Sequence, residues 1–281
     1  MRQQERREQP VTNPYMLGHA NHELDRLVSQ GRFLGDLSRH FLHLAGLEAG
    51  MRVLDVGCGA GDVSFLAAAI VGEAGSVVGI DRSADAIAIA GKRAAAAGLA
   101  NVRFDRLDVA DLPPEPAFDA VVGRLVLMYF PDPAAVLRPL ARVVKPGGLV
   151  TFHEFDFDGM KCEPACPLFD KVMAWMRQTF SRAGAEIRMG AKLGRVFEDA
   201  GLPTPQMRLE SRVERGPDSA VYDQVAGVMR TILPLVEKTG VATLAELDID
   251  TLAERLRQEA VALRASLISP SLVAAWSRRA G

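Results

Sequence analysis

Short runs rich in β-forming residues alternate with helical segments in the chain from Arg52 onward. The strand-like runs are RVLDVG, SVVGID, VRFDRLDV, FDAVVGR and LVTFHEF, and helical runs separate them. Two helices have marked ends: SADAIAIAGKRAAAAGLA ends at a glycine, and the later one begins with Asp132 as N-cap and Pro133 at its first position. Strands that alternate with helices predict a parallel sheet covered on both faces by right-handed crossovers.

The segments on either side of this core have a different pattern. Residues 15–46 have the apolar spacing of an amphipathic helix. After Glu154 we expect two helices, a strand at PQMRLESRVERG, helices over 218–264 and a last strand interrupted by Pro270. Capping boxes are predicted at Thr243 with Glu246 and at Thr251 with Glu254.

Composition excludes several classes of protein. The 281 residues include 33 basic and 35 acidic side chains, so no basic excess points to nucleic acid. No apolar run is long enough to span a bilayer, and the charged N-terminus lacks a signal sequence, so we expect a cytoplasmic protein without a membrane partner. Three cysteines argue against a disulfide framework, and Cys162 and Cys166 lack further zinc ligands nearby, so no metal is expected.

The stretch VLDVGCGAGDVSFL places Gly57, Gly59 and Gly61 directly after a predicted strand. A dinucleotide fingerprint would need glycine at Asp62, where an acid would face the pyrophosphate, and a triphosphate loop would need a following lysine. The loop therefore suits a ligand without a pyrophosphate. Asp55 adds negative charge that suits a cationic ligand, although it could instead order the loop or cap the next helix.

Two further carboxylates end the second and third strands. Asp81 is placed to accept hydrogen bonds from both ribose hydroxyls of a nucleoside, and Asp108 could accept from an adenine amino group. A tight turn without a ligand and a surface position for Asp108 are the alternatives. A glycine loop, a ribose acid and an adenine acid without a phosphate binder match S-adenosylmethionine.

The chain resembles class I S-adenosylmethionine-dependent methyltransferases of the bacterial small-molecule type. VLDVGCGAG is similar to the first motif of the family, GID to its ribose-binding acid, RLDVADLP to its adenine-binding stretch and VVKPGGLV to the turn into strand five. The resemblance implies a Rossmann-like sheet of seven strands in the order 3-2-1-4-5-7-6, with strand seven antiparallel. It implies that the cofactor contacts are Asp55, Gly57, Gly59, Gly61, Asp81, Arg82, Asp108, Val109 and Arg124.

Five residues have roles that the sequence leaves open. The resemblance implies that the backbone carbonyl of Arg124 contacts the methionyl amine, so its side chain could be structural. Tyr15 and Gln30 lie on a segment expected to fold over the site, and each could equally be a packing or surface residue. His153 and Glu154 end the fifth strand, where either could be a catalytic base, although many methyltransferases need none.

We therefore expect a disordered tail over 1–14, a helical lid over 15–48 and a methyltransferase domain over 49–281, with lid or acceptor insertions at about 155–190 and 218–264. The apolar residues of these segments favour an apolar or aromatic acceptor, such as a natural product or a quinone-like molecule, but they could simply pack the lid. The methylated atom and the choice between monomer and homodimer stay open. A protein that only binds S-adenosylmethionine and an NAD-dependent oxidoreductase are the rival functions.

Overall fold

A computed structural model describes residues 21–113, 115 and 117–281, with the backbone alone over residues 21–32. In these residues the strands are β1 (Arg52–Val56), β2 (Ser76–Asp81), β3 (Val102–Arg106), β4 (Phe118–Arg124), β5 (Val144–Asp156), β6 (Lys161–Glu163), β7 (Gln206–Glu210), β8 (Val213–Arg215), β9 (Ser266–Ile268) and β10 (Ser271–Arg278).

The helices of the described chain alternate with these strands in its first half. They are α1 (Asn21–Leu44), α2 (Asp62–Val71), α3 (Ala84–Ala96), α4 (Pro133–Val143), α5 (Pro167–Arg182), α6 (Met189–Asp199), α7 (Val221–Thr231), α8 (Leu233–Thr239), α9 (Leu244–Leu247) and α10 (Leu252–Ala262). Short 3₁₀ turns span Val109–Asp111, Leu127–Tyr129 and Phe157–Gly159.

The main sheet has the order β3-β2-β1-β4-β5-β10-β7, which is 3-2-1-4-5-7-6 when its seven strands are counted along the chain. Strand β10 is antiparallel to both of its neighbours, whereas β1 to β5 pair in parallel. The predicted fold class and strand order are therefore confirmed.

Residues of β1 alternate between the two faces of the sheet. Val53 packs with α2 on one face, and Leu54 and Val56 join the larger apolar cluster on the other, all at most 1% exposed. This double burial explains why the strand has apolar residues on both sides of Asp55. Both faces of the central strands are buried, so a polar ligand can approach only at their ends.

The ends of several helices follow the sequence signals. The Asp132 carboxylate accepts from the Ala135 N–H at 2.9 Å at the start of α4, as predicted. The capping box of Thr243 and Glu246 is present at α9. The second predicted box is wrong: Thr251 has helical backbone angles and its hydroxyl bonds to the Asp248 carboxylate, so it does not cap α10.

A second, three-stranded antiparallel sheet, β6-β9-β8, was not predicted. The interruption at Pro270 is where the chain leaves this small sheet and enters the main one as β10. Cys162 in β6 and Cys166 beyond it form a disulfide that the sequence pattern did not predict; Cys58 is free and buried. No helix of the described residues is long and apolar enough to cross a bilayer.

Candidate functional site

A cavity lies at the carboxyl ends of β1, β2 and β4, where the chain order of the strands reverses between β1 and β4. Ligands of open α/β sheets bind at this kind of position. Eight of the predicted cofactor residues line the cavity: Asp55, Gly57, Gly59, Asp81, Arg82, Asp108, Val109 and Arg124.

The glycine loop has left-handed backbone at alternate positions. The φ angles of Gly57, Gly59 and Gly61 are 62°, 53° and 90°, which residues with a Cβ rarely adopt. A Cβ at Gly57 would lie 2.7 Å from the Val126 side chain. Gly61 does not line the cavity; a Cβ there would lie 2.8 Å from the ring of Phe65. Gly61 therefore serves the packing of the turn.

Asp81 ties the glycine loop to the next helix. One carboxylate oxygen accepts from the Gly59 N–H at 3.0 Å, and the other accepts from the Ser83 N–H at 2.9 Å. Each carboxylate oxygen has two lone pairs, so each keeps room for one further hydrogen bond. This geometry lets one residue hold the loop and accept from a diol at the same time.

Asp55 is buried, with 1% exposure, and accepts from the Ser64 hydroxyl at 2.5 Å. Burial raises its pKa to about 7, while the Ser64 hydrogen bond and the charge of Arg124 act in the opposite direction. A cationic ligand group beside it would favour the ionised carboxylate. The contact with α2 also supports the alternative role of ordering the loop.

The charges around the cavity are partly paired. Arg93 donates to the Asp62 carboxylate at 2.8 Å and to the Ala60 carbonyl at 2.6 Å. Asp108 accepts from the Ala110 N–H at 3.0 Å, while its other oxygen lies 3.9 Å from Arg82. The Asp62 charge is therefore compensated, whereas one oxygen of Asp108 has only a long ion contact among the described residues.

Arg124 reaches from the end of β4 to α1, where its guanidinium donates to the hydroxyl of the buried Ser38 at 3.0 Å. Burial lowers the pKa of Arg124, and the nearby carboxylates of Asp62 and Asp55 oppose that change. This contact gives the Arg124 side chain a structural role. The contact of its carbonyl with the cofactor stays a prediction.

A second, apolar cavity adjoins the first. Three parts of the chain predicted to build an acceptor pocket contribute to it: α1, the segment from β5 to α5, and α7 with its C-terminal end. Met176, Val228 and Ile232 line it as anticipated, whereas Phe169, Met173, Trp175 and Met229 belong to the core. The lining is Phe33, Leu34, Leu125, Met128, Tyr129, Phe155, Phe157, Met160, Met176, Phe180, Val221, Gln224, Val225, Val228, Ile232, Ser269 and Pro270.

The two candidate bases line neither cavity. His153 is 1% exposed and packs edge-on against Phe41 with ring centroids 5.3 Å apart; neither ring nitrogen has a hydrogen-bond partner within the described part of the chain. Burial and the charge of Arg124 lower its pKa to about 3. Glu154 is fully buried and accepts hydrogen bonds from backbone amides. Their catalytic role therefore stays a prediction without a contact in its favour.

The segment between the cavities was not anticipated from the sequence. Leu125 and Tyr129 line both cavities, and Val126 and Phe130 line the first. Leu125 has a φ of 56°, which is unusual for leucine and which nothing in GRLVLMYF indicates. Tyr15 lies outside the described residues, and of Gln30 only the backbone position in α1 is described. The described chain has no cluster of side chains suited to a metal ion.

Comparison with known proteins shows which proteins this chain resembles. A family model described as a methyltransferase domain matches residues 47–201. A demethylmenaquinone methyltransferase of Bacillus cytotoxicus is 33% identical over 180 residues, which cover 59% of this chain and 76% of that protein. A 2-phytyl-1,4-naphtoquinone methyltransferase of Synechococcus elongatus is 47% identical over 102 residues, which cover 36% of this chain and 44% of that protein.

The chain thus spans less than half the length of the Synechococcus relative. Among solved structures, a candidate methyltransferase of Bacillus halodurans has a TM-score of 0.57 at 16% identity, over 87% of this chain and 99% of that one. This likeness concerns the fold alone.

Proposed function

The chain belongs to the methyltransferase domain family, and on this premise we propose that it transfers a methyl group from S-adenosylmethionine to a small, apolar, quinone-like acceptor. One observation carries the proposal: the polar cavity at the strand ends and the apolar cavity beneath α1 share Leu125 and Tyr129. Two ligands of different polarity can therefore meet at one boundary.

The residues of the first cavity suit S-adenosylmethionine. In this proposal Asp81 accepts from the ribose diol, Asp108 accepts from the adenine amino group, and the buried Asp55 faces an ammonium group. The remaining acceptor capacity of Asp81 and Asp108 supports these roles. When bound, this cofactor supplies an electrophilic methyl group on a sulfonium sulfur. The chain's own part is to hold the two reactants in line and to exclude water.

The acceptor class rests mainly on the second cavity. Its lining is apolar or aromatic apart from the Tyr129 hydroxyl and the side chains of Gln224 and Ser269. Burying a charged acceptor there would carry a large desolvation penalty, whereas a ring with few polar groups fits the lining. The names of the relatives point the same way, since they refer to naphtoquinone and demethylmenaquinone methylation. However, the family match ends at residue 201, before the lining residues of α7.

The transfer itself needs an electron pair on the acceptor. In a reduced, quinol-type ring a hydroxyl oxygen or a ring carbon can attack the methyl carbon of the cofactor. The bond between the methyl carbon and the sulfur breaks at the same time, and its electron pair stays on the sulfur. The proton then leaves the acceptor. Neither His153 nor Glu154 lines a cavity, so we propose that positioning rather than a protein base carries most of the catalysis.

Incubation with methyl-labelled S-adenosylmethionine tests the proposal. The acceptors are reduced 1,4-naphthoquinone, kept reduced under argon, and the charged 3,4-dihydroxybenzoate as a contrast. We expect labelled product and S-adenosylhomocysteine with the apolar acceptor and much less with the charged one. Binding of S-adenosylmethionine without transfer to any acceptor in a wider apolar panel would instead favour a binding protein. A cytoplasmic location and a monomeric or homodimeric state, without nucleic acid or membrane partners, belong to the same proposal.

A further inference from the structure

The carboxylate of Glu154 lies directly behind the boundary between the two cavities. Glu154 is 0% exposed, and its Oε1 accepts from the Val126 N–H at 2.9 Å and from the Leu127 N–H at 2.7 Å. The preceding amide, that of Leu125, donates to the His153 carbonyl at 2.9 Å. Two consecutive residues of β5 therefore hold three consecutive amides of the boundary segment, residues 125–129.

Residues of this segment line both the cavity proposed for the cofactor and the cavity proposed for the acceptor. Leu125 and Tyr129 line both cavities, Val126 lines the first and Met128 the second. The Val126 side chain also lies where a Cβ of Gly57 would be, so the position of the segment limits the space beside the glycine loop. A small shift of the segment would therefore move the walls of both cavities at once.

The conformation of the 125–129 segment needs support from other parts of the chain. Leu125 has a φ of 56°, a conformation that leucine disfavours, and the amides that follow it belong to a 3₁₀ turn of only three residues. The first amides of such a turn have no partner within it and need an acceptor from elsewhere. Glu154 is that acceptor, in a place closed to water.

We propose that Glu154 is a positioning residue: its carboxylate fixes the 125–129 segment and thereby sets the alignment of acceptor and cofactor. The proposal rests on the proposed function for what is aligned, but the contacts of Glu154 stand independently of it. Burial raises the pKa of Glu154 to about 7, against the lowering effect of the amide hydrogen bonds. An acceptor for two amides does not have to be charged, so a glutamine carbonyl can replace the Oε1 atom.

Three substitutions separate positioning from acid–base catalysis. Glu154→Gln keeps an oxygen at the reach of both amides, but it cannot take up a proton. Glu154→Asp keeps the carboxyl group and loses about one methylene of reach, and Glu154→Leu removes the acceptor. Glu237→Leu, at an exposed glutamate of α8, is the matched control. The readouts are kcat and acceptor KM with reduced 1,4-naphthoquinone, and the affinities for S-adenosylhomocysteine and for 2-naphthol by calorimetry.

We expect Glu154→Gln to keep kcat within about threefold of wild type, and Glu154→Asp and Glu154→Leu to lose at least about tenfold in kcat with a raised acceptor KM. The affinity for S-adenosylhomocysteine should change less than kcat does. If Glu154→Leu does not fold, the comparison of Gln with Asp decides. A Gln variant as impaired as the Asp variant, or an Asp variant equal to wild type, would overturn the proposal.

Failure of the proposed function is visible separately. A wild-type protein that binds S-adenosylhomocysteine but methylates no acceptor would refute the proposed activity. The affinities of the variants for 2-naphthol would then test the role of Glu154. In that case the Asp variant should bind 2-naphthol at least about fivefold more weakly than the Gln variant. Equal affinities would refute the positioning role as well.

Discussion

At the scale of single residues, the glycine loop depends on backbone that only glycine adopts easily. Gly59 has a φ of 53°, and its N–H donates to Asp81. We expect Gly59→Ala to abolish or greatly weaken binding of S-adenosylmethionine, because a Cβ would strain the loop or meet the ligand. Gly98→Ala is the control: Gly98 has a φ of 65° with open space around it, far along the chain at the end of α3.

Both variants should lose about 1–2 kcal/mol of stability from the disfavoured backbone angle, but only Gly59→Ala should lose the ligand. Calorimetric titration and urea unfolding of each variant separate the two effects. Normal binding by Gly59→Ala would mean that the ligand does not approach this residue.

The sequence predicted the residues of the cofactor cavity better than those of the boundary segment. Asp81 ends an apolar strand and Asp108 follows the next strand at motif spacing, so their position at the carboxyl ends of the strands follows from the strand pattern. The sequence marks Glu154 as the end of a strand and a candidate base, but not as an acceptor for backbone amides. Its role depends on amides of residues 126 and 127, which come close only after β4 and β5 have paired. Such a contact leaves no local pattern in the sequence.

At the scale of secondary-structure elements, α1 closes the apolar cavity with its residues Phe33 and Leu34. Leu34→Ala should raise the acceptor KM at least severalfold, because it opens the cavity to water, and should leave cofactor affinity nearly unchanged. Leu42→Ala is a matched control, since Leu42 is equally buried on the same helix but packs against α2 and β1 instead.

Each of these substitutions should destabilise the fold by about 2–5 kcal/mol, as is usual for a buried leucine. Steady-state kinetics with reduced 1,4-naphthoquinone, at a temperature where both variants stay folded, make the comparison. The same rise of KM in both variants would show that loosening of α1, and not its contact with the acceptor, is responsible.

The amphipathic pattern predicted α1 itself, but not which of its residues face a cavity. Leu34 and Leu42 both belong to the apolar stripe of α1, yet Leu34 packs with residues of β10 and Leu42 packs with residues of α2 and β1. The small β6-β9-β8 sheet was not predicted for a different reason. Its strands have three residues each, too few for a period-two pattern.

At the scale of the whole molecule, buried titratable groups make stability depend on pH. The pKa of Glu154 is raised from 4.5 to about 7. Between these values the folded state holds more protons than the unfolded state, so this residue makes the free energy of unfolding fall as pH rises. The buried His153, with a pKa lowered to about 3, has the opposite effect and reduces stability as pH falls below about 6.5.

Glu154→Gln should therefore gain stability relative to wild type as pH rises from about 4.5 to 7.5, by up to about 3 kcal/mol, with no further gain above that range. Urea unfolding at a series of pH values measures this difference. The exposed control Glu237→Gln should show no comparable trend. A Glu154→Gln curve parallel to that of wild type would mean that the carboxyl titrates normally.

We propose that the cavity at the ends of β1, β2 and β4 binds S-adenosylmethionine through Asp81. Calorimetric titration of wild type and of Asp81→Ala with S-adenosylmethionine tests it most directly, with the exposed Asp85→Ala as control. Loss of charge-assisted hydrogen bonds to the ribose should cost about 1.5–3 kcal/mol, which is roughly a ten- to hundredfold weaker affinity. We predict this loss for Asp81→Ala alone, and no binding of NAD by wild type. A wild-type protein that binds NAD rather than S-adenosylmethionine would rule out the proposed cofactor, and a folded Asp81→Ala variant with unchanged affinity would rule out the role of Asp81.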